Sequence, residues 1–171
     1  NIVIEDKIIT AITKLIDDAV RTDPNHTSYV LKDISILLHQ LAINNSSPSH
    51  FTISSETIEK LTAYFRQDPE ACSSSNTHSV SIFFHSLAKL NVTSSELWTY
   101  ASESLLYSLM QNYVSEEALP QHVSVILWSF GKLLIKQRDI FDRFSELFLS
   151  KDERHIVNLN KFSPQSIANI L

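Results

Sequence analysis

The sequence predicts an all-α chain, an α-solenoid of stacked two-helix repeats, on three observations. The first is glycine: a single one, Gly131, in 171 residues, against an ordinary share of about 7%. Two-residue hairpins, phosphate-cradling loops, nucleophile elbows and Rossmann turns place backbone at positive φ, where glycine is the default residue. Most β-rich and mononucleotide folds are thereby excluded. The second is spacing. In Ile34–Ala42, Val80–Ala88 and Val123–Gly131 the apolar residues fall at offsets 0, 3, 4 and 7, one face of a helix. The third is recurrence. These segments and a fourth, Ile167–Leu171, align without gaps, their starts 46, 43 and 44 residues apart. A period of about 44 suits a two-helix unit.

Taken in order, a first helix at about 5–22 carries Ile8, Ile12 and Leu15, and Asp23-Pro24 stops it, because the residue before proline disfavours α geometry. The first unit, about 28–69, holds the repeated "A" helix from Ile34, a seven-residue loop insertion at Asn44–His50, and a partner helix through Ile58, Leu61 and Phe65 that ends at Asp68-Pro69. The serine-rich stretch Cys72–Asn76 is a loop. The second unit, about 76–113, pairs the A helix from Val80 with a partner through Leu97, Ala101 and Leu105, and Thr93-Ser94-Ser95-Glu96 has capping-box spacing at its start. The third, about 119–150, opens at Leu119-Pro120 and continues from Val123 to a partner through Ile140, Phe144, Leu147 and Phe148. A partial unit starts at 163, where Ser163-Pro164 supplies an N-cap and a proline at the first helical position. Small residues at offset one (Ser35, Ser81, Ser124, Ala168) let adjacent A helices approach. Gly131, aligned with Ala42 and Ala88, reads as another close-packing position.

The remaining counts narrow the function. Mean hydropathy is −0.03, and no apolar run approaches the roughly 18–20 residues of a membrane span. Net charge is −5 and pI about 5.8, the opposite sign to a free-standing non-specific nucleic-acid binder. Cys72 is the only cysteine, so no internal disulfide forms. The sequons at Asn25, Asn44, Asn45 and Asn91 are expected to be chance occurrences in a Ser- and Asn-rich chain. There is no His-Glu-x-x-His, Gly-x-Ser-x-Gly or Walker loop, and the seven histidines lack metal-ligand spacing. The expectation is a non-enzyme with no cofactor, no metal and no small-molecule substrate. Asp17-Asp18 and Glu116-Glu117 read as solvated surface. The chain starts at Asn1 and stops at Leu171 inside an apolar run, and is expected to be a segment of a longer protein.

The stretch Leu119-Pro120-Gln121-His122-Val123-Ser124-Val125-Ile126-Leu127-Trp128-Ser129-Phe130-Gly131-Lys132-Leu133 resembles the first helix of an octotricopeptide-type repeat. So does Phe162–Leu171, and Ser81–Leu90 fits with His in place of Trp. The related heptatricopeptide arrays of RAP-domain and FAST-kinase-like proteins look much the same. The resemblance covers the C-terminal two-thirds. It implies an organellar protein, mitochondrial or else plastid, that binds RNA in processing, stability, translation or ribosome assembly. Ribosomal RNA and neighbouring proteins of a large assembly are the implied partners.

The face of the A helices opposite the core, at offsets 2, 5, 6 and 9, carries the candidate RNA contacts: His39 and Gln40; His85, Ser86 and Lys89; Trp128, Ser129 and Lys132; and Asn169. Rings stack on unpaired bases, Ser, Gln and Asn read edges, and lysines meet phosphates. Lys89 and Lys132 would lie about 10 Å apart along the array. The competing reading packs His39, His85 and Trp128 between neighbouring hairpins, and the pattern leaves both open. A secondary basic cluster is Lys136, Arg138 and Arg143 beside Lys132. The competing function is an armadillo- or HEAT-like protein–protein scaffold. A positive strip along the A helices favours RNA, and a neutral or negative one favours protein.

Overall fold

Four of the helices begin at short polar side chains that satisfy orphan N–H groups. A computed structural model describes residues 2–21, 30–44, 53–111, 120–149 and 162–168, and among them every regular element is helical. The helices are α1 (Ile2–Arg21), α2 (Val30–Asn44), α3 (Ser55–Gln67), α4 (Thr77–Lys89), α5 (Ser95–Gln111), α6 (Pro120–Lys132), α7 (Arg138–Leu149) and α8 (Pro164–Ala168). Ser54 Oγ accepts from the Thr57 N–H at 3.2 Å, Asn76 Oδ1 from Ser79 at 2.8 Å and Ser163 Oγ from Ser166 at 3.1 Å. The expected capping box at Thr93 does not form. Ser94 caps α5, accepting from the Leu97 N–H at 3.4 Å, while Glu96 turns away to pair with Arg66 of α3. The Asp23-Pro24 stop and most of the Asn44–His50 insertion lie outside the described residues.

Helix ends are as regular. Asp68 closes α3 by donating its N–H to the Tyr64 carbonyl at 2.9 Å. After α4 the Val92 N–H reaches the Leu87 carbonyl at 3.0 Å with Asn91 at φ 55, and after α6 the Ile135 N–H reaches the Phe130 carbonyl at 2.9 Å with Leu134 at φ 55. Both are Schellman-type closures, in which a left-handed residue lets a later N–H cap an orphan carbonyl. Asn tolerates that conformation and leucine does not do so readily, because its Cβ crowds the following carbonyl.

The helices pack by alternation. α2 lies on α4, α4 on α6 and α6 on α8, while α1 lies on α3, α3 on α5 and α5 on α7, with α1 also against α2. Along the even-numbered helices small residues are buried among the large apolar ones. Ser35, Ser81 and Ser124 are buried, and each donates to the carbonyl three residues back (Lys32, His78, Gln121) at 2.7–2.9 Å. A buried hydroxyl satisfied by its own helix costs a neighbour little and occupies little space.

Between the even and odd helices the filler is aromatic. Phe65 of α3 meets Phe83 of α4 at 5.2 Å between ring centres, and Phe84 of α4 meets Trp98 of α5 at 5.5 Å. Trp98 in turn meets Phe130 of α6 edge-to-face at 5.1 Å, and Phe130 meets Phe141 of α7 at 6.1 Å. Tilted and edge-on pairs add roughly 0.5–1.5 kcal/mol each beyond the area they bury. The indole N–H of Trp98 donates to the Val92 carbonyl at 2.8 Å, so the largest buried side chain leaves no orphan donor. The Cys72–Asn76 stretch is a loop, as expected, and only its first residue enters the core. Cys72 is fully buried, its N–H donating to Ser104 Oγ at 3.0 Å. Asp17, read as plain surface, ties α1 to α3 through Lys60 at 2.8 Å.

Gly131 departs from expectation. It is exposed near the end of α6, its φ is not positive, and a Cβ added there would meet nothing within 4 Å among the described residues. The glycine therefore stands where alanine fits, and Leu134, 80% exposed, stands where glycine fits. Gly131→Ala is expected to raise stability by about 0.5–1 kcal/mol and Leu134→Gly by about 1 kcal/mol, read as upward shifts of the chemical-denaturation midpoint. Phe84→Ala, at the node of the aromatic chain, is expected to cost about 3–5 kcal/mol in the same measurement.

Candidate nucleic-acid interface

The even-numbered helices bring three rings into one file. His39 of α2 lies 6.3 Å from His85 of α4 between ring centres, and His85 lies 5.3 Å from Trp128 of α6 at a 38° tilt. All three are half-buried. The two competing readings of these residues thus merge: the rings do pack between successive helices, and they pack on one another at the surface. Lys89 Nζ stands 5.6 Å and Lys132 Nζ 5.3 Å from the centre of the Trp128 ring, so two ammonium groups converge on one indole. Each contact is worth about 0.5–1 kcal/mol at an exposed site. Neither lysine has a carboxylate at ion-pair distance among the described residues, and Gln40 is exposed beside His39.

Ser86 and Ser129 do not belong to this surface. Both are fully buried, donating at 2.7 Å to the Ile82 and Val125 carbonyls of their own helices, so neither hydroxyl can reach a base. Offset 6 lies on the edge of the core face, and the tight approach of the even-numbered helices closes over it. Asn169 lies outside the described residues. The secondary cluster is largely neutralised: Arg138 pairs with Asp142 at 3.2 Å and Arg143 with Glu146 at 2.6 Å, both within α7, while Lys136 is exposed.

A second ring pair went unread in the sequence. His78 and His122, in the first turns of α4 and α6, lie 5.2 Å apart between ring centres. They stand 44 residues apart, a spacing close to those of the aligned apolar segments, and that was the signal that could have found them.

The charge distribution is uneven. The helices α2, α4 and α6 carry Lys32, Lys89 and Lys132 against one carboxylate, Asp33, and four of the seven histidines. The helices α1, α3, α5 and α7 carry eleven carboxylates against seven Lys and Arg. An acidic chain thus keeps its acids off the helices that hold the ring file.

Burial holds His85 below the usual imidazole range, with Lys89, His39 and Lys132 adding repulsion. Burial, then His78, lowers His122 in the same way. Burial and Lys89 lower Lys132. Burial pushes the Cys72 thiol up to about 12, which keeps it protonated at neutral pH. No group of three or more His, Cys, Asp or Glu able to hold a metal occurs among the described residues, and no helix there is long and apolar enough to cross a membrane. Comparison with family models, with curated proteins and with solved structures gives no match to the chain.

The two lowered histidines fix a sign. An imidazole whose folded pKa lies below about 6.5 takes its proton first in the unfolded chain. Its contribution is fully present above that value and is lost as pH falls toward the folded pKa. Thermal melts at pH 7.5 and pH 5.5 should show the melting temperature falling on acidification. The fall should be smaller in the His85→Gln/His122→Gln variant.

Proposed function

We propose that the protein is a non-catalytic RNA-binding α-solenoid, its helices forming two-helix repeats of about 44 residues, and that it meets RNA through the file of His39, His85 and Trp128 with Lys89, Lys132 and Gln40. The observation that carries this reading is the segregation of charge: in a chain of net charge −5, the helices bearing the rings hold three lysines and one carboxylate. Single-stranded RNA is held by cations that meet phosphates and flat groups on which bases stack, and this surface presents both within one ring's width. The likeness of Leu119–Leu133 and Ser81–Leu90 to octotricopeptide-type repeats supports the same reading, and with it a place in a mitochondrial or plastid RNA–protein assembly such as a ribosome. The local cation count is small, so the RNA grip is shared with other parts of such an assembly.

A second reading, an armadillo- or HEAT-like scaffold for a protein partner, is favoured by Ile36 and Ile43. They flank His39 and Gln40 on α2 and are 44% and 59% exposed.

Fluorescence anisotropy with a labelled oligouridylate of about 12 nucleotides tests the first reading. Lys89→Ala/Lys132→Ala is expected to weaken binding and to lower the slope of log affinity against log salt by about 1 to 2. Trp128→Ala is expected to cost about 1–3 kcal/mol with little change in that slope. Equal binding by all three proteins would transfer the case to the scaffold.

A further inference from the structure

We infer that the ring file takes up RNA together with protons, so that the His39–His85 pair couples binding to pH; this rests on the RNA reading of the same site. The geometry sets two imidazoles 6.3 Å apart between ring centres, the second 5.3 Å from an indole on which Lys89 and Lys132 converge. Every titratable or charged group on the three helices is accounted for. α2 contributes Lys32 and Asp33 in its first turn and His39 two turns on; α4 contributes His78, His85 and Lys89; α6 contributes His122 and Lys132; and α1, which packs on α2, contributes Glu5, Asp6, Lys7, Lys14, Asp18 and Asp17, the last paired with Lys60 of α3. No carboxylate stands near the file on α2, α4 or α6, since Asp33 lies at the other end of α2 and His78 and His122 lie in the first turns of α4 and α6. Protonating His85 in the free protein therefore adds a like charge beside Lys89 and Lys132, and burial opposes it first of all.

A phosphodiester laid along Lys89 and Lys132 reverses that balance. It supplies the anion the cluster lacks, makes the imidazolium form favourable, and gives each ring an N–H to donate to a phosphate oxygen or a base carbonyl. Groups whose pKa rises on binding bind ligand and proton cooperatively: affinity climbs as pH falls through the window between the free and bound values. For His85, held below its ordinary range, a phosphate that favours the imidazolium moves that window upward.

The test uses the 171-residue chain and an oligouridylate, whose base takes no proton between pH 6 and 8. Affinity is measured at both pH values at fixed ionic strength, and proton uptake at pH 6.5 is measured by calorimetry in two buffers of different ionisation enthalpy. The expected result is an affinity about fivefold or more tighter at pH 6 than at pH 8, with about one proton taken up per RNA bound. The His39→Gln/His85→Gln variant should show a change of less than about twofold, with its fold checked by melting at both pH values. The calorimetric count on the unsubstituted protein stands even if that variant misfolds. Binding that Lys89→Ala/Lys132→Ala weakens but that takes up no proton overturns this inference alone. A pH slope unchanged in the histidine variant, which folds, also overturns it. No binding at either pH overturns this inference and the RNA reading together.

Discussion

Everything on the surface of this protein depends on how near its even-numbered helices come to one another. Helices approach to about 8–10 Å depending on the side chains between them, and here the buried residues of α2, α4 and α6 include the small Ser35, Ser81, Ser86, Ala88, Ser124 and Ser129. Each of those serines returns its hydroxyl to a carbonyl of its own helix, so none needs a partner across the contact. The odd-numbered helices are held off by rings, Phe65 on Phe83 and Trp98 between Phe84 and Phe130. Small filler on one side and aromatic filler on the other fix which faces are near and which are wide.

The ring file follows from that spacing. His39, His85 and Trp128 sit on α2, α4 and α6, and their rings meet centre to centre at 6.3 and 5.3 Å. The same closeness forces Lys89 and Lys132 onto one indole and raises the cost of charge at His85. Carboxylates would relieve that cost, yet the chain places them on the odd-numbered helices, where Asp17 and Glu96 tie helix to helix through Lys60 and Arg66. Acids that stabilise the array and cations left uncompensated on the opposite helices are two sides of one arrangement.

Much of this was legible in the sequence because a period repeats errors as faithfully as signals. Helix positions follow from apolar offsets and from the Ser163-Pro164 start, and the ring file from three residues 46 and 43 apart. What was not legible turned on distances below a helical turn. Whether Ser86 faces base or core depends on how closely the neighbouring helix approaches, and spacing alone does not state that distance. Gly131 aligned with Ala88 and so read as a contact, but the alignment cannot say that nothing among the described residues lies above it. The cap at α5 slipped by one residue because Glu96 had a stronger partner in Arg66, thirty residues away. Charge segregation was present in the sequence and became visible once the helices were sorted by layer.

The central claim is that RNA lies along the A-helix file. Ultraviolet crosslinking of the protein in its native particle, with mass-spectrometric mapping of the adducts, addresses it directly. The account requires nucleotide adducts at His39, His85, Lys89, Trp128 or Lys132. A map in which these residues stay unmodified while protein–protein crosslinks gather around Ile36 and Ile43 would contradict it.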